Sequence, residues 1–207
     1  MVTIINYGSG NVRAIANIYE RLRIEHSIAS RPEDFKDTTK IILPGVGAFD
    51  ETMSMLNNSG FVDILTESVI LKKTPVLGIC VGMQILAESS EEGELKGLGW
   101  IGGQVKKIDK NNITNKPKIP HLGWNSVKIK NDSQILQGIN EEEGFYFVHS
   151  YYFECTDEKN CMTESFYGEH FTSSVKKDNI IGVQFHPEKS HQNGITLLKN
   201  FAEFQYA

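Results

Sequence analysis

Two short segments about a hundred residues apart combine the side chains that thiol-based acyl transfer requires. The first is Gly78–Gly82, with Cys80 at its centre, and it follows the apolar run Pro75–Leu77. A reactive side chain between glycines at the end of such a run is typical of a nucleophile elbow, where a strand turns sharply into a helix. The glycines are needed because a Cβ at either position would collide with the neighbouring strand or helix.

The second segment supplies groups that would activate this thiol. His186 and Glu188 follow the apolar run Ile180–Val183, which predicts a buried strand. An imidazole can take the proton of a thiol, and a carboxylate can orient the imidazole. A lone buried cysteine is usually a packing residue, but an elbow together with a histidine and a carboxylate favours catalysis. The two segments therefore predict a thiol acyl-transfer enzyme.

Attack on an amide carbonyl creates an oxyanion, which needs preorganised N–H donors. The elbow predicts one donor, the backbone N–H of Val81, the residue after the nucleophile. The turn Pro44–Gly47 is a candidate for the second, through the N–H of Val46 or Gly47, because its glycines let backbone groups approach the reacting atom or change orientation. The alternative is an ordinary turn between a strand and a helix, with glycines that serve packing alone.

The first half of the chain predicts a fold of the α/β class that would position these segments. Helices are predicted after Asn11, which is placed to cap the first one, then over Asp50–Leu71 and from Val81 to about Ala87. They alternate with predicted strands at Val2–Asn6, Ser27–Ala29, Lys40–Leu43 and Pro75–Cys80. This alternation indicates parallel βαβ units with helices on both faces of the sheet.

The second half is dominated by short predicted strands, at Gln104–Ile108, Ser126–Ile129, Gly144–His149, Tyr151–Glu154, Thr172–Lys176 and Ile180–Phe185. They predict an antiparallel extension of the sheet or a second small sheet. A helix over Gly194–Tyr206 is predicted to close the chain, and the polar segments Ser89–Gly97 and Asp109–Lys118 are predicted loops. No repeat or linker interrupts the sequence, so residues 1–207 are predicted to form one domain.

Composition narrows the class of function. The formal net charge of −5 lacks the basic footprint of a nucleic-acid-binding protein. No apolar run approaches the roughly 20 residues that span a bilayer, and the N-terminal residues predict a strand rather than a signal peptide. Three cysteines, an odd number, argue against a disulfide framework and for the reducing cytoplasm. Neither a metal-ligand spacing nor an ATP-binding loop is present, so no cofactor is expected.

At these residues the sequence resembles the class I, triad-type glutamine amidotransferases, essentially from end to end. The segments Gly78–Gln84 and Gln184–Glu188 match the motifs of that class. Pro120–Asn125 and Phe145–Ser150 are similar to the HisH branch, the glutaminase subunits of imidazole glycerol phosphate synthase. The resemblance implies the flavodoxin-like fold of the class, with a mostly parallel central sheet, flanking helices and an antiparallel extension.

The resemblance also implies roles for individual residues. Cys80, His186 and Glu188 would form a catalytic triad that hydrolyses L-glutamine to glutamate and ammonia through a thioester on Cys80. The glutamine would lie against Gly47, Gln84, Glu92, His149, Ser150 and Tyr151. These side chains suit a free amino acid, because its ammonium needs acceptors such as Glu92 and Gln84, while backbone N–H groups can hold its carboxylate.

Proteins of the HisH branch work as heterodimers with HisF, a (β/α)₈-barrel synthase that takes ammonia through its interior. The resemblance places Asn11, Trp124, Tyr146 and Lys189 at or near that interface, although the two aromatic residues alone would also suit a protein core. The chain has no nucleotide or sugar-phosphate motif, so its ammonia is expected to be used on the partner. The partner would make imidazole glycerol phosphate and AICAR in histidine biosynthesis.

Several local features leave an alternative pathway open. Gly8–Gly10, Leu56–Gly60 and Val81, where the family commonly has leucine, resemble a paralogue that supplies ammonia to a sugar amidotransferase in surface-polysaccharide biosynthesis. The histidine role is the prediction and this paralogue is the alternative. A stand-alone thiol hydrolase and a catalytically inactive regulatory subunit are two further hypotheses that the intact set of Cys80, His186 and Glu188 and the partner-facing motifs disfavour.

Overall fold

The structure is a computed structural model that describes residues 1–114 and 118–206. Its helices are α1 (Val12–Leu22), α2 (Phe49–Asn58), α3 (Phe61–Thr66), α4 (Val81–Gln84) and α5 (His191–Glu203), and a π-helical turn, Glu67–Leu71, continues α3. Its strands are β1 (Val2–Ile5), β2 (His26–Ala29), β3 (Lys40–Gly45), β4 (Val76–Cys80), β5 (Ser89–Ser90), β6 (Gly103–Lys107), β7 (His121–Asn125), β8 (Lys128–Ile129), β9 (Phe145–His149), β10 (Tyr151–Cys155), β11 (Cys161–Tyr167), β12 (Glu169–Lys177) and β13 (Ile180–Val183). The predicted loop Asp109–Lys118 falls partly on residues 115–117, which lie outside the described residues.

The main sheet has the strand order β2-β1-β3-β4-β13-β12-β10-β6-β5, with β11 paired to β12 and β8. From β2 to β13 the neighbouring strands are parallel, and from β13 to β6 they are antiparallel. Strands β7 and β9 form a separate antiparallel pair. The predicted α/β class with a mostly parallel centre is confirmed, and both forms of antiparallel structure that the sequence left open are present.

The parallel strands bring the chemistry-bearing turns to one edge of the sheet. Strands β1, β4 and β13 are buried along their whole length, as expected for strands covered on both faces. The chain runs from β1 to β2 on one side and then crosses to β3 on the other. Such a reversal opens a crevice at the carboxyl ends of the strands, where ligands bind in open α/β sheets. The turns after β1, β3, β4 and β13 all meet there.

Helix α4 is much shorter than predicted, since it ends at Gln84 rather than near Ala87. The hydrogen bonds after it are of the tighter 3₁₀ type, since the Leu86 N–H donates to the Met83 carbonyl at 3.1 Å and the Ala87 N–H to the Gln84 carbonyl at 3.0 Å. The carbonyls of Ile85 and Leu86 accept from the Leu98 and Ile101 N–H groups at 2.8 Å and 3.1 Å. The backbone therefore leaves the α-helical path after Gln84 and pairs with a later segment.

The sequence did not predict three of the strands: β5, which lies at the start of the predicted loop Ser89–Gly97, and β7 and β11 of the antiparallel half. Strand β7 carries a glycine and two polar residues in five positions, and within residues 1–114 and 118–206 it pairs with β9 alone. Strand β11 is held by side chains as well as backbone, because the Thr163 hydroxyl lies 2.8 Å from Ser173 Oγ. Residues Ser126 and Val127, predicted as strand, instead form the connection from β7 to β8.

Two predictions at helix ends are wrong. Asn11 occupies the N-cap position of α1 but makes no side-chain capping bond, because its ψ of 61° departs from the extended backbone that a cap requires. Helix α5 begins at His191 and ends at Glu203, three residues earlier at each end than predicted. None of the helices in the described ranges combines the length and the apolar character needed to cross a membrane.

Candidate active site

Cys80 lies at the sharp turn between β4 and α4. Its backbone has φ 56° and ψ −115°, a conformation that costs a residue with a Cβ free energy and that is found mainly at functional sites. Gly78 and Gly82 let this turn pack against its neighbours, because a Cβ at either position would collide with nearby backbone, as the sequence predicted. A Cβ on Gly82 would overlap the Leu43 carbonyl of β3, and one on Gly78 would overlap the backbone of Gly82. The thiol is therefore held where α4 and β3 touch through backbone atoms.

His186 and Glu188 form a buried ion pair beside this thiol. His186 Nδ1 lies 2.9 Å from Glu188 Oε1, and the two side chains are 3% and 1% exposed. Burial alone would lower the pKa of His186, but the adjacent Cys80 sulfur and Glu188 carboxylate outweigh it and raise that pKa to about 10. Nε2 makes no hydrogen bond to any described residue. The ring is thus charged at neutral pH, with one nitrogen on the carboxylate and the other free for chemistry.

The backbone of His186 is fixed by strand β9. The His186 N–H donates to the Tyr146 carbonyl at 2.9 Å. The Ser190 hydroxyl donates to the His186 carbonyl at 2.6 Å and accepts from the Tyr146 N–H at 3.0 Å. The backbone of Tyr146 is therefore linked to the backbone of His186 both directly and through Ser190.

A cavity of about 320 Å³ opens at the thiol. It is lined by two members of the predicted triad, Cys80 and His186, and by every residue predicted to contact glutamine. The full lining is Val46, Gly47, Cys80, Val81, Gln84, Glu92, Pro120, Val148, His149, Ser150, Tyr151, His186 and Lys189. Glu188 lies behind the imidazole. The structure therefore brings together one thiol, one imidazole and the predicted substrate-binding side chains.

Gln84 and Glu92 each keep one oxygen available in this cavity. Gln84 Nε2 donates to the Tyr151 carbonyl and to Gln184 Oε1, both at 3.0 Å, while no hydrogen bond to a described residue is recorded for its Oε1. Glu92 Oε2 accepts the Phe49 N–H at the start of α2 at 2.9 Å. These two anchored acceptors suit a ligand ammonium group. The ring nitrogens of His149 are already occupied, so this residue offers a ligand its backbone rather than its ring.

The turn after β3 has its Val46 peptide groups directed toward Ser9. The Val46 N–H donates to Ser9 Oγ at 2.9 Å, and the Val46 carbonyl accepts from Ser9 Oγ at 3.0 Å and Thr52 Oγ1 at 3.2 Å. Gly47 has a φ of +93°, and the turn lines the cavity. In this arrangement the predicted oxyanion donor Val46 is bonded away from the thiol.

An exposed aromatic cluster lies next to the cavity and contains three of the four residues predicted at a partner interface. Trp124 is 47% exposed, which excludes the core alternative for this residue. Its ring meets that of Tyr146 edge-on at 6.4 Å, and Lys189 Nζ lies 5.7 Å from the Tyr146 ring centre. Asn11, also exposed, precedes α1, which contacts the turn Pro187–Lys189.

Three site residues were missed by sequence reasoning. Gln184 is fully buried and its Nε2 lies 3.8 Å from Cys80 Sγ. Ser9 holds the Val46 turn, and His121 hydrogen-bonds His149. Gln184 stands two residues before the predicted base, which was a usable signal, but the roles of Ser9 and His121 depend on contacts across the fold. No cluster of metal-ligating side chains occurs within the described residues.

The chain matches the family model described as glutamine amidotransferase class-I over residues 3–204. It is 48% identical over 202 residues to the imidazole glycerol phosphate synthase subunit HisH of Leptospira interrogans, covering 98% of this chain and 99% of that protein. It is 49% identical over 205 residues to the subunit of the same name from Bdellovibrio bacteriovorus, covering 98% and 100%.

Solved structures support the fold. PurLQS from Thermotoga maritima matches with a TM-score of 0.74 at 16% identity, covering 98% of this chain and 97% of that one. A crystal structure of a glutamine amidotransferase matches with a TM-score of 0.71 at 19% identity, covering 98% and 97%. The elbow, the cavity and these full-length similarities agree: the chain belongs to the class I glutamine amidotransferase family and, within it, to the HisH branch.

Proposed function

We propose that this protein is the glutaminase subunit of an imidazole glycerol phosphate synthase. It hydrolyses L-glutamine to glutamate and ammonia, and the ammonia passes to a HisF-type (β/α)₈-barrel partner that makes imidazole glycerol phosphate and AICAR. The observation that carries the proposal is the placement of Cys80, His186, Gln84 and Glu92 around one cavity of amino-acid size. The reaction is assigned to one domain spanning the chain and to the cytoplasm, where its thiol stays reduced.

The residues divide the reaction into two steps. The Cys80 thiolate, stabilised by the neighbouring imidazolium, attacks the side-chain carbonyl carbon of glutamine, and His186 gives its proton to the departing amine, which leaves as ammonia. A water molecule, deprotonated by His186, then attacks the thioester and releases glutamate with a regenerated thiol. Glu188 keeps the imidazole oriented and stabilises its charged form.

The cavity also accounts for the choice of substrate. Glu92 and the free Oε1 of Gln84 face the site as acceptors, and a free α-ammonium is the donor that they fit. A residue inside a peptide chain has no such ammonium, so these two groups disfavour internal peptide substrates. Backbone N–H groups of the segment His149–Tyr151 are assigned to the substrate carboxylate. The cavity therefore gives no support to a stand-alone thiol hydrolase that cleaves internal peptide bonds.

The oxyanion is assigned to two backbone donors, Val81 and the turn Val46–Gly47. Because the Val46 N–H is bonded to Ser9 in this structure, the turn is proposed to rotate before it can serve the reaction. One missing oxyanion donor costs about 10²–10³ in rate, which is enough to suppress hydrolysis until the partner needs ammonia. The exposed cluster of Trp124, Tyr146 and Lys189, with Asn11 nearby, is proposed as the docking face.

Glutamine turnover measured with and without a HisF-type partner tests the proposed reaction. The isolated chain should release ammonia slowly, and the complex with bound acceptor should be at least about a hundredfold faster, given the value of one oxyanion donor. A chain carrying Cys80→Ser, at the same concentration in the same complex, is the matched control. Equal rates with and without partner would contradict the switch, and no turnover in either form would contradict the function.

The pathway is tested by complementation of a histidine auxotroph that lacks its own glutaminase subunit, with ammonia kept low. We expect growth, and we expect Cys80→Ser to abolish it. Relatives from Leptospira, Methanococcus and Bdellovibrio all carry the imidazole glycerol phosphate synthase name, so the surface-polysaccharide alternative is not favoured. Failure to grow, together with loss of an amidino-modified surface sugar on deletion of the gene, would reverse this assignment.

A further inference from the structure

Two buried histidines, His149 in the cavity wall and His121 behind it, have side-chain rings that take no part in the proposed reaction. His121 of β7 and His149 of β9 are 3% and 6% exposed, and His121 Nδ1 lies 2.9 Å from His149 Nε2. The rings of Phe147, Tyr167 and Phe171 pack against them. Burial lowers the pKa of His121 to about 4 and that of His149 to about 3. Both rings are consequently neutral at physiological pH.

Because each neutral ring has one donor nitrogen and one acceptor nitrogen, the donor and acceptor of every hydrogen bond in this pair can be assigned. His149 Nδ1 lies 2.8 Å from the Tyr151 carbonyl, which can only accept, so Nδ1 carries the proton. His149 Nε2 is then an acceptor, and His121 Nδ1 must donate to it. His121 Nε2 is in turn an acceptor, and Asn125 Nδ2 lies 3.3 Å from it. Asn125 is oriented by a second bond, from Nδ2 to the Phe166 carbonyl at 2.9 Å.

The same chain of bonds continues to the nucleophile. The Tyr151 carbonyl that accepts from His149 also accepts from Gln84 Nε2 at 3.0 Å. Gln84 Nε2 also donates to Gln184 Oε1 at 3.0 Å, and Gln184 Nε2 points at Cys80 Sγ from 3.8 Å. Because its oxygen is held by Gln84, the amide of Gln184 can present only its N–H groups to the sulfur.

We propose that this series of hydrogen bonds, from Asn125 to Gln184, holds a hydrogen-bond donor against the Cys80 sulfur and so stabilises its reactive thiolate form. Gln184 is a catalytic residue that donates a hydrogen bond to the Cys80 sulfur, and His121 is a positioning residue that acts on it through His149, Tyr151 and Gln84. Asn125 follows Trp124 in β7, so the series of hydrogen bonds begins next to the exposed aromatic cluster. The inference rests on the proposed glutaminase reaction and adds a route by which contact at that cluster reaches the sulfur.

The test uses two substitutions of His121. An asparagine places an amide N–H near the position of Nδ1 and can still donate to His149, whereas a leucine cannot. We expect His121→Asn to stay within about threefold of the unmodified chain in both assays below, and His121→Leu to fall by about threefold to tenfold, the value of one net hydrogen bond. The first assay is the rate at which iodoacetamide alkylates Cys80, followed by mass spectrometry of the peptide. The second is glutamine turnover in the partner complex.

Gln184→Met gives an independent measurement, since methionine fills the same volume without a donor. It should slow alkylation of Cys80 by a similar factor and lower kcat more than it raises KM, because the lost bond acts on the sulfur and not on bound glutamine. Asn179→Leu is the matched control. Asn179 is an equally buried amide bonded to the Val69 and Thr74 carbonyls at the opposite end of β4, so its loss should lower the melting temperature without changing alkylation.

The outcomes separate this inference from the proposed function. Alkylation needs no glutamine, so it reports on the hydrogen-bond chain even when turnover is absent. Slower alkylation in His121→Leu and Gln184→Met, with a near-normal rate in His121→Asn, supports the proposed series of hydrogen bonds. Equal alkylation rates in all variants, or equal losses in the asparagine and leucine variants, would overturn it. Absence of glutamine turnover in the unmodified complex would instead count against the glutaminase assignment.

Discussion

His186 and the pair formed by His121 and His149 are similarly buried, yet His186 is charged at neutral pH whereas His121 and His149 are neutral. The three side chains are between 3% and 6% exposed. Burial lowers the pKa of His121 and His149 well below that of a free imidazole, while the thiol and carboxylate beside His186 raise its pKa to about 10. The comparison teaches that burial alone makes a histidine neutral and that a thiol and a carboxylate beside it can together keep a buried histidine charged.

The two environments make opposite contributions to stability as the pH changes. For His186 the folded pKa is the higher one, so its contribution is complete below about pH 6.5 and is lost as the pH rises through about 10. For His121 and His149 the folded pKa is the lower one. Their contribution is complete above about pH 6.5 and is lost as the pH falls toward about 4 and 3.

The largest effect is expected at the thiol that the charged histidine serves. A chloroketone that mimics glutamine should label Cys80 and spare Cys155, whose pKa burial raises to about 12, and Cys161, whose pKa burial also raises. Cys80→Ser should lose the label and at least about 10⁴-fold of turnover, as expected for a lost nucleophile. Mass spectrometry of the labelled peptides is the measurement. Labelling that persists unchanged in the serine variant would remove Cys80 from the mechanism.

The next largest losses of turnover are expected from substitutions of His186 and Glu188, the two members of the ion pair. His186→Ala should lower turnover by about 10⁴-fold or more, because this imidazole is the group assigned to transfer the proton in both steps. Glu188→Gln should be the milder change, since the carboxylate orients the ring and stabilises its charge without touching the substrate. It should also lower the pKa of His186, because one of the two groups that raise it loses its charge, and so shift the pH profile of kcat toward acid. Normal glutamine kinetics in His186→Ala would refute the assignment.

A smaller effect is expected at the oxyanion turn. Proline has no N–H and a fixed φ, so Val46→Pro should leave the slow rate of the isolated chain almost unchanged but cancel about 10²–10³ of the acceleration by the partner. Val46→Ala keeps the N–H and is the matched control, which should remain activated. The measurement is the ratio of glutamine turnover with and without the partner. A fully activated proline variant would exclude Val46 as a donor.

The smallest effect concerns the neutral pair. Each imidazole of the pair should cost the folded state on the order of 1–2 kcal/mol between pH 7 and pH 5, because the unfolded chain binds the proton and the folded chain does not. Urea unfolding at several pH values measures this slope, and His121→Asn, which has no titrating ring, should make it shallower. A slope that is the same in both proteins would mean that His121 titrates normally in the folded state.

The sequence was sufficient for groups that are neighbours along the chain. Gly78–Gly82 predicted the elbow, and His186 with Glu188 predicted the ion pair. In each motif the residues are so close in the sequence that local backbone geometry alone places their side chains. The strands β1, β3, β4 and β13 were found for the same reason, since a buried parallel strand is one apolar run. Their common edge then followed from topology alone.

The sequence was insufficient wherever partners meet across strands. His121 and His149 are 28 residues apart and meet only because β7 pairs with β9. Strand β7 itself has no apolar alternation by which to predict it. Helix α4 ended early where the backbone turns to pair with Leu98 and Ile101, and no local propensity encodes that long-range pairing. Asn11 has the residue type of a cap but not the backbone angle.

The contact between Gly82 and the Leu43 carbonyl has a consequence for how activity can be graded. A Cβ on Gly82 would overlap that carbonyl, so the end of β3 and the start of α4 pack backbone against backbone. In the proposed switch the moving part is therefore a single peptide unit, which either presents its N–H to the oxyanion or does not. We expect each molecule to be inactive or active at a given moment, so that intermediate rates of a population measure the fraction of active molecules. Single-molecule or relaxation measurements on the complex should find two exchanging states and no continuum between them.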